Sequence, residues 1–226
     1  DIIPFASMWN MDGMVIMGFC EDEYQKLRDR IRIPFVVYDG IFNNDRNICN
    51  LTLDDFDGGR QVGTYFREHA RKSVLFIADN QLRPDFDRYE GLCSGYGRRA
   101  DFLEVPMSKG ERQAFYRNVL PKYQNLDSVF AASDYYAAEV MNYLINAGTR
   151  VPDDVWDVGF DDVELCRNVI PQLSSVRQDV NMRAQKAVEY LERMKADRSY
   201  SATEKIPVQF VPRMSCGKSS KFSTVE

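Results

Sequence analysis

Seven side chains of this sequence have types that suit contact with a ligand. Asp39, Asp79, Ser133, Asp134, Asp161 and Asp162 each stand where a short apolar run gives way to polar residues, and Arg88 falls in the first turn of an expected helix. A carboxylate accepts two or more hydroxyl donors, and an arginine fork donates to oxygens lying in one plane. Together they suit a neutral polyhydroxylated molecule such as a sugar. Carboxylates at such places also cap helices or bind turn amides, and Asp134 and Asp162 are assigned to that role. For Asp39, Arg88 and Asp161, spacing alone serves a pocket and a structural role equally well. Tyr135, Phe160 and Trp9 could stack on a sugar face, although aromatics so placed more often belong to a core.

Other chemistries lack their residues. Gly95-Tyr96-Gly97 with Ala100 imitates part of a dinucleotide fingerprint, but it falls at a helix end before a strand, whereas phosphate binding needs a strand feeding a helix N-terminus. There is no G-x-x-x-x-G-K-[ST], G-x-S-x-G or H-E-x-x-H. The one histidine, His69, lies late in a helix as a surface or capping residue. Acyl transfer and metal hydrolysis are therefore unsupported, and no enzyme activity, metal or cofactor is expected. Cys20, Cys49, Cys93, Cys166 and Cys216 are odd in number and scattered without a C-x-x-C, which fits buried free thiols rather than disulfides or a zinc site. A formal charge of −5 supplies no basic field for nucleic acid.

The elements that must position these residues alternate between strand and helix. Residues 129–132 form a short apolar run ending in Ser133-Asp134, which suit a helix start. Ala137, Met141, Leu144 and Ile145 then recur at helical spacing until Gly148, and 155–160 make a second run ending in Asp161-Asp162. This is a β-α-β unit, which requires a parallel sheet covered by helices, with ligands bound beyond the carboxyl ends of the strands. The same alternation predicts strands over 14–19, 35–38, 48–53, 74–78, 102–105, 173–176 and 206–211. Helices are expected between them, marked by Tyr24 and Leu27, by Val62 and Phe66, by Tyr89, Leu92, Cys93 and Tyr96, by Phe115 and Val119, and by Ala184, Ala187, Leu191 and Met194. Ser108 and Glu111 have capping-box spacing. Residues 1–10 read as the tail of a helix, 43–47 as a polar turn, and the chain from Ser215 onward as a frayed end. At 226 residues and 44% hydrophobic content, one large domain or two small ones can bury a core. No run approaches the about 20 apolar residues of a membrane span and no signal segment opens the chain, so a cytoplasmic protein is expected.

A series of motifs resembles the effector-binding core of the lactose/galactose repressor family of bacterial transcription regulators. In order they are Met11-Asp12-Gly13-Met14-Val15-Ile16, Ile33-Pro34-Phe35-Val36-Val37-Tyr38-Asp39, Asp57-Gly58-Gly59-Arg60, Arg88-Tyr89-Glu90-Gly91 and Val129-Phe130-Ala131-Ala132-Ser133-Asp134. Val151-Pro152-Asp153-Asp154-Val155, Val158-Gly159-Phe160-Asp161-Asp162 and Pro171-Gln172-Leu173-Ser174-Ser175-Val176-Arg177-Gln178 complete it. The resemblance covers nearly the whole chain. It implies an α/β fold of periplasmic-binding-protein-like class I, with two doubly wound parallel-sheet subdomains hinged by three crossovers, expected near Leu53, Gln178 and Tyr200. Residues 1–53 plus 179–200 would form one subdomain and 54–178 plus 201–226 the other. The pocket positions it implies are Asp39, Arg88, Ser133, Asp161 and Gln178.

Two departures stand out. Set against the family pattern, the chain is expected to begin late in the first subdomain's second helix, after the N-terminal helix-turn-helix of the family. Asp157 stands inside a strand where the family has an apolar residue, which calls for a partner such as an arginine and for solvent access. The expected function is a sugar-sensing, dimerising core of a repressor: an effector shifts subdomain closure, and paired DNA-reading heads carried outside this chain respond. A solute-binding protein delivering sugar to a transporter or receptor is the alternative.

Overall fold

The computed structural model describes residues 11–17, 33–40 and 48–217. The expectations for residues 1–10 with Trp9, for Cys20, for the helix of Tyr24 and Leu27 and for the turn at 43–47 lie outside the described residues. The chain divides into two compact units, residues 1–54 with 179–207 and residues 55–178 with 208–226.

In the first unit β1 (Met14–Met17), β2 (Phe35–Tyr38), β3 (Ile48–Leu53) and β9 (Ala202–Ile206) pair in that order, all in parallel. Phe35, Val36, Val37, Cys49 and Leu51 are all buried, the run-like burial of strands covered on both faces. One covering element is α6 (Val180–Ala196), which buries Arg183, Ala187, Tyr190 and Met194 at spacings of four, three and four. Its start is set by Asp179, whose carboxylate accepts from the Met182 amide at 2.8 Å.

The second unit is a six-stranded sheet in the order β10-β8-β7-β6-β4-β5. Its strands are β4 (Val74–Ala78), β5 (Asp101–Glu104), β6 (Ser128–Ala131), β7 (Trp156–Asp161), β8 (Ser174–Gln178) and β10 (Val208–Val211), parallel except for β10. Alternate residues feed opposite faces. Phe76 meets both Phe130 and Tyr89 of α2 (Asp85–Tyr96) on one side, while Val129 and Ala131 join Tyr116 of α3 (Lys109–Val119) and Val140 of α4 (Asp134–Asn146) on the other. Gly148, at φ 87, follows α4 as expected. Ser108 precedes α3 but makes no side-chain cap bond, so the capping box does not form.

On the first face α1 (Asp55–Glu68) and α2 approach with their backbones in contact. A Cβ at Gly59 would stand 2.0 Å from the Arg88 carbonyl oxygen, one at Gly63 2.2 Å from that of Leu92, one at Gly91 2.0 Å from that of Phe56, and one at Gly95 2.1 Å from that of Arg60. Two glycine pairs, each spaced by four, thus lie on facing stripes and let the helices touch without intervening side chains. This contact sets Asp55 of α1 against Arg88 of α2.

Three expectations are corrected. The single last strand over 206–211 is two strands, because Pro207 cannot continue a ladder: β9 pairs with β3 and β10 with β8, and the chain passes between units there rather than near Tyr200. Ser215 and Cys216 are buried rather than frayed, Ser215 Oγ accepting from the Ser174 amide at 2.8 Å. Asp157 has neither the partner nor the solvent access expected. It is fully buried, paired in register with Val129 of the core, and neither carboxyl oxygen has a hydrogen-bond partner; the Tyr116 hydroxyl is likewise buried and unpartnered. Burial drives the Asp157 pKa well above the ordinary carboxylate value, and the Asp134 carboxylate adds to the rise.

Two outcomes are expected. Gly91→Ala forces α1 and α2 apart and destabilises the chain by about 1–3 kcal/mol or more, read from the shift of a urea unfolding midpoint. Asp157→Val raises stability at pH 7. Because the folded-state pKa of Asp157 is raised, the carboxyl is neutral in both states below pH about 4, and above it the unfolded chain ionises first, so this residue's contribution falls as pH rises. Urea midpoints measured from pH 4 to 7 should show a decline attributable to Asp157 that is absent in the valine variant.

Candidate functional site

The carboxyl ends of the second sheet gather the polar groups. Arg88 is 7% exposed and sits at the centre. Its Nε donates to Asp55 Oδ1 at 2.8 Å, its Nη1 donates to the Ala132 carbonyl at 2.6 Å and lies 3.4 Å from Asp85 Oδ1, and its guanidinium stacks 3.8 Å from the centre of the Phe160 ring. Burial opposes the charge, but the carboxylates of Asp55, Asp161 and Asp85 outweigh it and hold the arginine pKa above its ordinary value. Asp161 ends β7 beside Gln178 at the end of β8, and Gln178 Nε2 donates to Asp161 Oδ1 at 2.9 Å. Burial pushes Asp161 up to about 7, with Arg88 opposing and Asp134 adding to the rise. Asp85 is raised to about 6 by burial, against the pull of Arg88.

Of the five expected positions, Arg88, Asp161 and Gln178 therefore belong to one constellation. Ser133 follows the Ala132 carbonyl that Arg88 engages, and its Oγ accepts from the Tyr136 amide at 3.4 Å as the cap of α4. Asp39 belongs to the other unit. It ends β2 with φ 58, and Arg183 Nη2 donates to its Oδ1 at 2.6 Å and to the Leu51 carbonyl at 3.2 Å. The Arg183 guanidinium lies 3.9 Å from the Tyr38 ring centre, and the Tyr38 hydroxyl donates to the Arg183 carbonyl at 3.1 Å. Asp55, Asp85 and Arg183 were not among the expected residues. Asp55 and Asp85 stood in expected helix starts, where a capping role concealed them; Arg183 lies on the buried stripe of a helix and carries no local signal.

Two other strand-end residues have structural partners. Asp134 is buried, accepting from Ser175 Oγ at 2.5 Å and from the Val163 amide at 2.9 Å, in keeping with its assigned turn-binding role. Asp162 is an anchor for three arginines: Arg177 Nε at 2.6 Å, Arg167 Nη2 at 3.0 Å, and Arg213. Asp161 and Asp162 both have positive φ, 114 and 55, and the turn between them sends one carboxylate toward Arg88 and Gln178 and the other into the arginine group. His69 is exposed, its Nδ1 2.8 Å from the Tyr65 carbonyl, matching the surface or capping role expected. Among the described residues no group of histidine, cysteine and carboxylate side chains could hold a metal ion, and no helix is long and apolar enough to cross a membrane.

Arg88→Ala removes the buried cation that faces Asp55, Asp85 and Asp161 and should cost about 3–5 kcal/mol of stability, measured by urea unfolding without ligand. A loss within a few tenths of a kcal/mol would mean that the arginine is not the keystone its contacts indicate.

Comparison with known proteins gives the constellation a setting. The model of the periplasmic binding protein-like domain matches residues 54–216. The HTH-type transcriptional regulator CelR of Thermobifida fusca is 26% identical over 188 residues, covering 76% of this chain and 54% of the relative. The ribose operon repressor of Halalkalibacterium halodurans is 28% identical, covering 67% of this chain and 46% of the relative. The chain thus spans about half the length of these curated relatives. Among solved structures, a LacI family transcriptional regulator from Enterococcus faecalis V583 with bound ribose superposes with a TM-score of 0.80 at 24% identity, covering 91% of this chain and 77% of that one. A complex of the transcriptional regulator CelR with cellobiose gives a TM-score of 0.83 at 21% identity, covering 95% and 68%. These neighbours share the α/β fold, and the resemblance to sugar-responsive repressors drawn from the motifs holds in relatives that are regulators by name. The chain belongs to the family of the periplasmic binding protein-like domain.

Proposed function

We propose that this chain is the small-molecule-sensing and dimerising core of a cytoplasmic DNA-binding transcriptional regulator. A sugar or related polyol is its effector, and operator DNA is contacted through a helix-turn-helix carried outside these residues. The observation that carries the proposal is the joining of Arg88, Asp161 and Gln178 at the carboxyl ends of β7 and β8. A buried guanidinium and half-buried donors and acceptors are held there by the fold before any ligand arrives, which limits the ordering that binding requires. Asp161 and Gln178 accept from and donate to hydroxyls, Arg88 donates to a ring or hydroxyl oxygen, and Ser133 retains its hydroxyl proton as a donor. An effector that binds one conformation of the protein better than another shifts its equilibrium, and such differential binding is all that a regulator needs. No step of covalent chemistry is required. The names of the relatives, which are transcription regulators, favour this reading over a solute-binding protein.

A thermal-shift and calorimetry panel of ribose, xylulose and cellobiose tests the proposal. A ligand at one hundred times its dissociation constant should add about 2.7 kcal/mol of stability. Asp161→Asn and Gln178→Ala should each weaken the hit by about tenfold or more, as expected for removal of a hydrogen bond to a charged group; unchanged affinity in both variants would place the site elsewhere. The hydroxyl of a ligand donates to the ionised form of Asp161, whose pKa is raised to about 7. Affinity is therefore full above that pH and falls roughly tenfold per unit below it, which calorimetry between pH 5.5 and 8.5 reads directly.

A further inference from the structure

The charge of the strand-end constellation selects among sugars. Within the unit of residues 55–178 and 208–226, Arg88 is surrounded by Asp55 and Asp85, with Asp161 close enough to act on its charge. A further carboxylate stands beside them, since Asn80 Nδ2 donates to Asp79 Oδ1 at 2.9 Å and lies 3.5 Å from Asp85 Oδ2. Three carboxylates thus act on one guanidinium, and Asp79 adds a fourth beside Asp85. Two of its nitrogens are engaged by protein, and Nη2 makes no hydrogen bond among the described residues. A single ligand oxygen can take that donor while a neighbouring hydroxyl donates to Asp161, with Asp85 set behind them against Arg88. A phosphate or carboxylate at the same place would gain one guanidinium already matched by carboxylates and would face the rest unscreened in a buried setting. Basic excess exists in this unit, but around Asp162, where Arg167, Arg177 and Arg213 converge on one carboxylate.

We infer that the effector is an uncharged sugar, and that the acidic shell formed by Asp55, Asp79, Asp85 and Asp161 around Arg88 rejects phosphorylated and acid sugars of the same skeleton. The inference rests on the sugar-sensing reading above and adds the charge class to it. Raised pKa values support it: burial, with like charge adding to it, has already lifted Asp161 to about 7 and Asp85 to about 6, so the shell takes on further negative charge only together with protons.

The test is calorimetry at pH 8 on the 226-residue chain, with matched pairs: ribose and ribose 5-phosphate, glucose and glucose 6-phosphate, galactose and galacturonate. The neutral member should bind, and its charged partner should compete for the same site about tenfold or more weakly. Asp85→Asn should narrow that gap by several-fold while changing the affinity of the neutral sugar less, a readout that mere loss of fold does not produce; Asp161→Asn, a contact residue, should weaken both. A charged member that competes with its neutral partner at equal or higher affinity, or a gap unaltered in Asp85→Asn, overturns the inference and leaves sugar sensing intact. Binding of neither member of any pair, nor of xylulose or cellobiose, overturns both.

Discussion

A guanidinium taken out of water is tolerable only where carboxylates meet it at short range, and Arg88 is held in that way. Asp55 lies on one helix, Asp85 on the arginine's own helix, and Asp161 at the end of a strand, so one side chain ties two helices to the sheet. The arrangement depends in turn on glycine. Were α1 and α2 separated by side chains at positions 59, 63, 91 and 95, Asp55 would stand farther from Arg88 than an ion pair allows. The acidic shell is thus a consequence of backbone-to-backbone helix contact.

The end of β7 divides the unit's polar groups into two fields of opposite sign. Strand alternation alone would send Asp161 and Asp162 to opposite faces, and positive φ at both residues sharpens the turn that does so. On one side, carboxylates outnumber the guanidinium; on the other, three arginines outnumber Asp162, whose side chain is 1% exposed. The second group has the character of a lock on the loop after β7, since Arg177 comes from β8 and Arg213 from the segment after β10. Fixing that loop also fixes Asp161.

Asp157 is a contrast within the same strand. Two positions before Gly159 and four before Asp161, it faces the α3 and α4 core and has no hydrogen-bond partner. A polar group in this condition works against folding rather than for it. Nothing in the structure assigns it a task, and the neighbouring Tyr116 hydroxyl is equally unsatisfied.

The sequence by itself determined the alternation of strands and helices, the class of fold and the places where carboxylates leave the strands. Each of these follows from short-range chemistry: apolar periodicity, a helix start at 133 and 134, glycine at 148 and the breaks made by proline. The motifs around Arg88, Asp161 and Gln178 were legible for the same reason, since each is a contiguous string. Tertiary structure alone decided which of those residues meet. That Asp55 and Asp85 flank Arg88, that Arg183 holds Asp39, that three arginines take Asp162 and that Asp157 is left without a partner are matters of packing between elements up to 144 residues apart in sequence. Local spacing carries no record of such contacts: a carboxylate in a helix's first turn has the same sequence context whether it binds an amide nearby or a guanidinium brought to it by another helix.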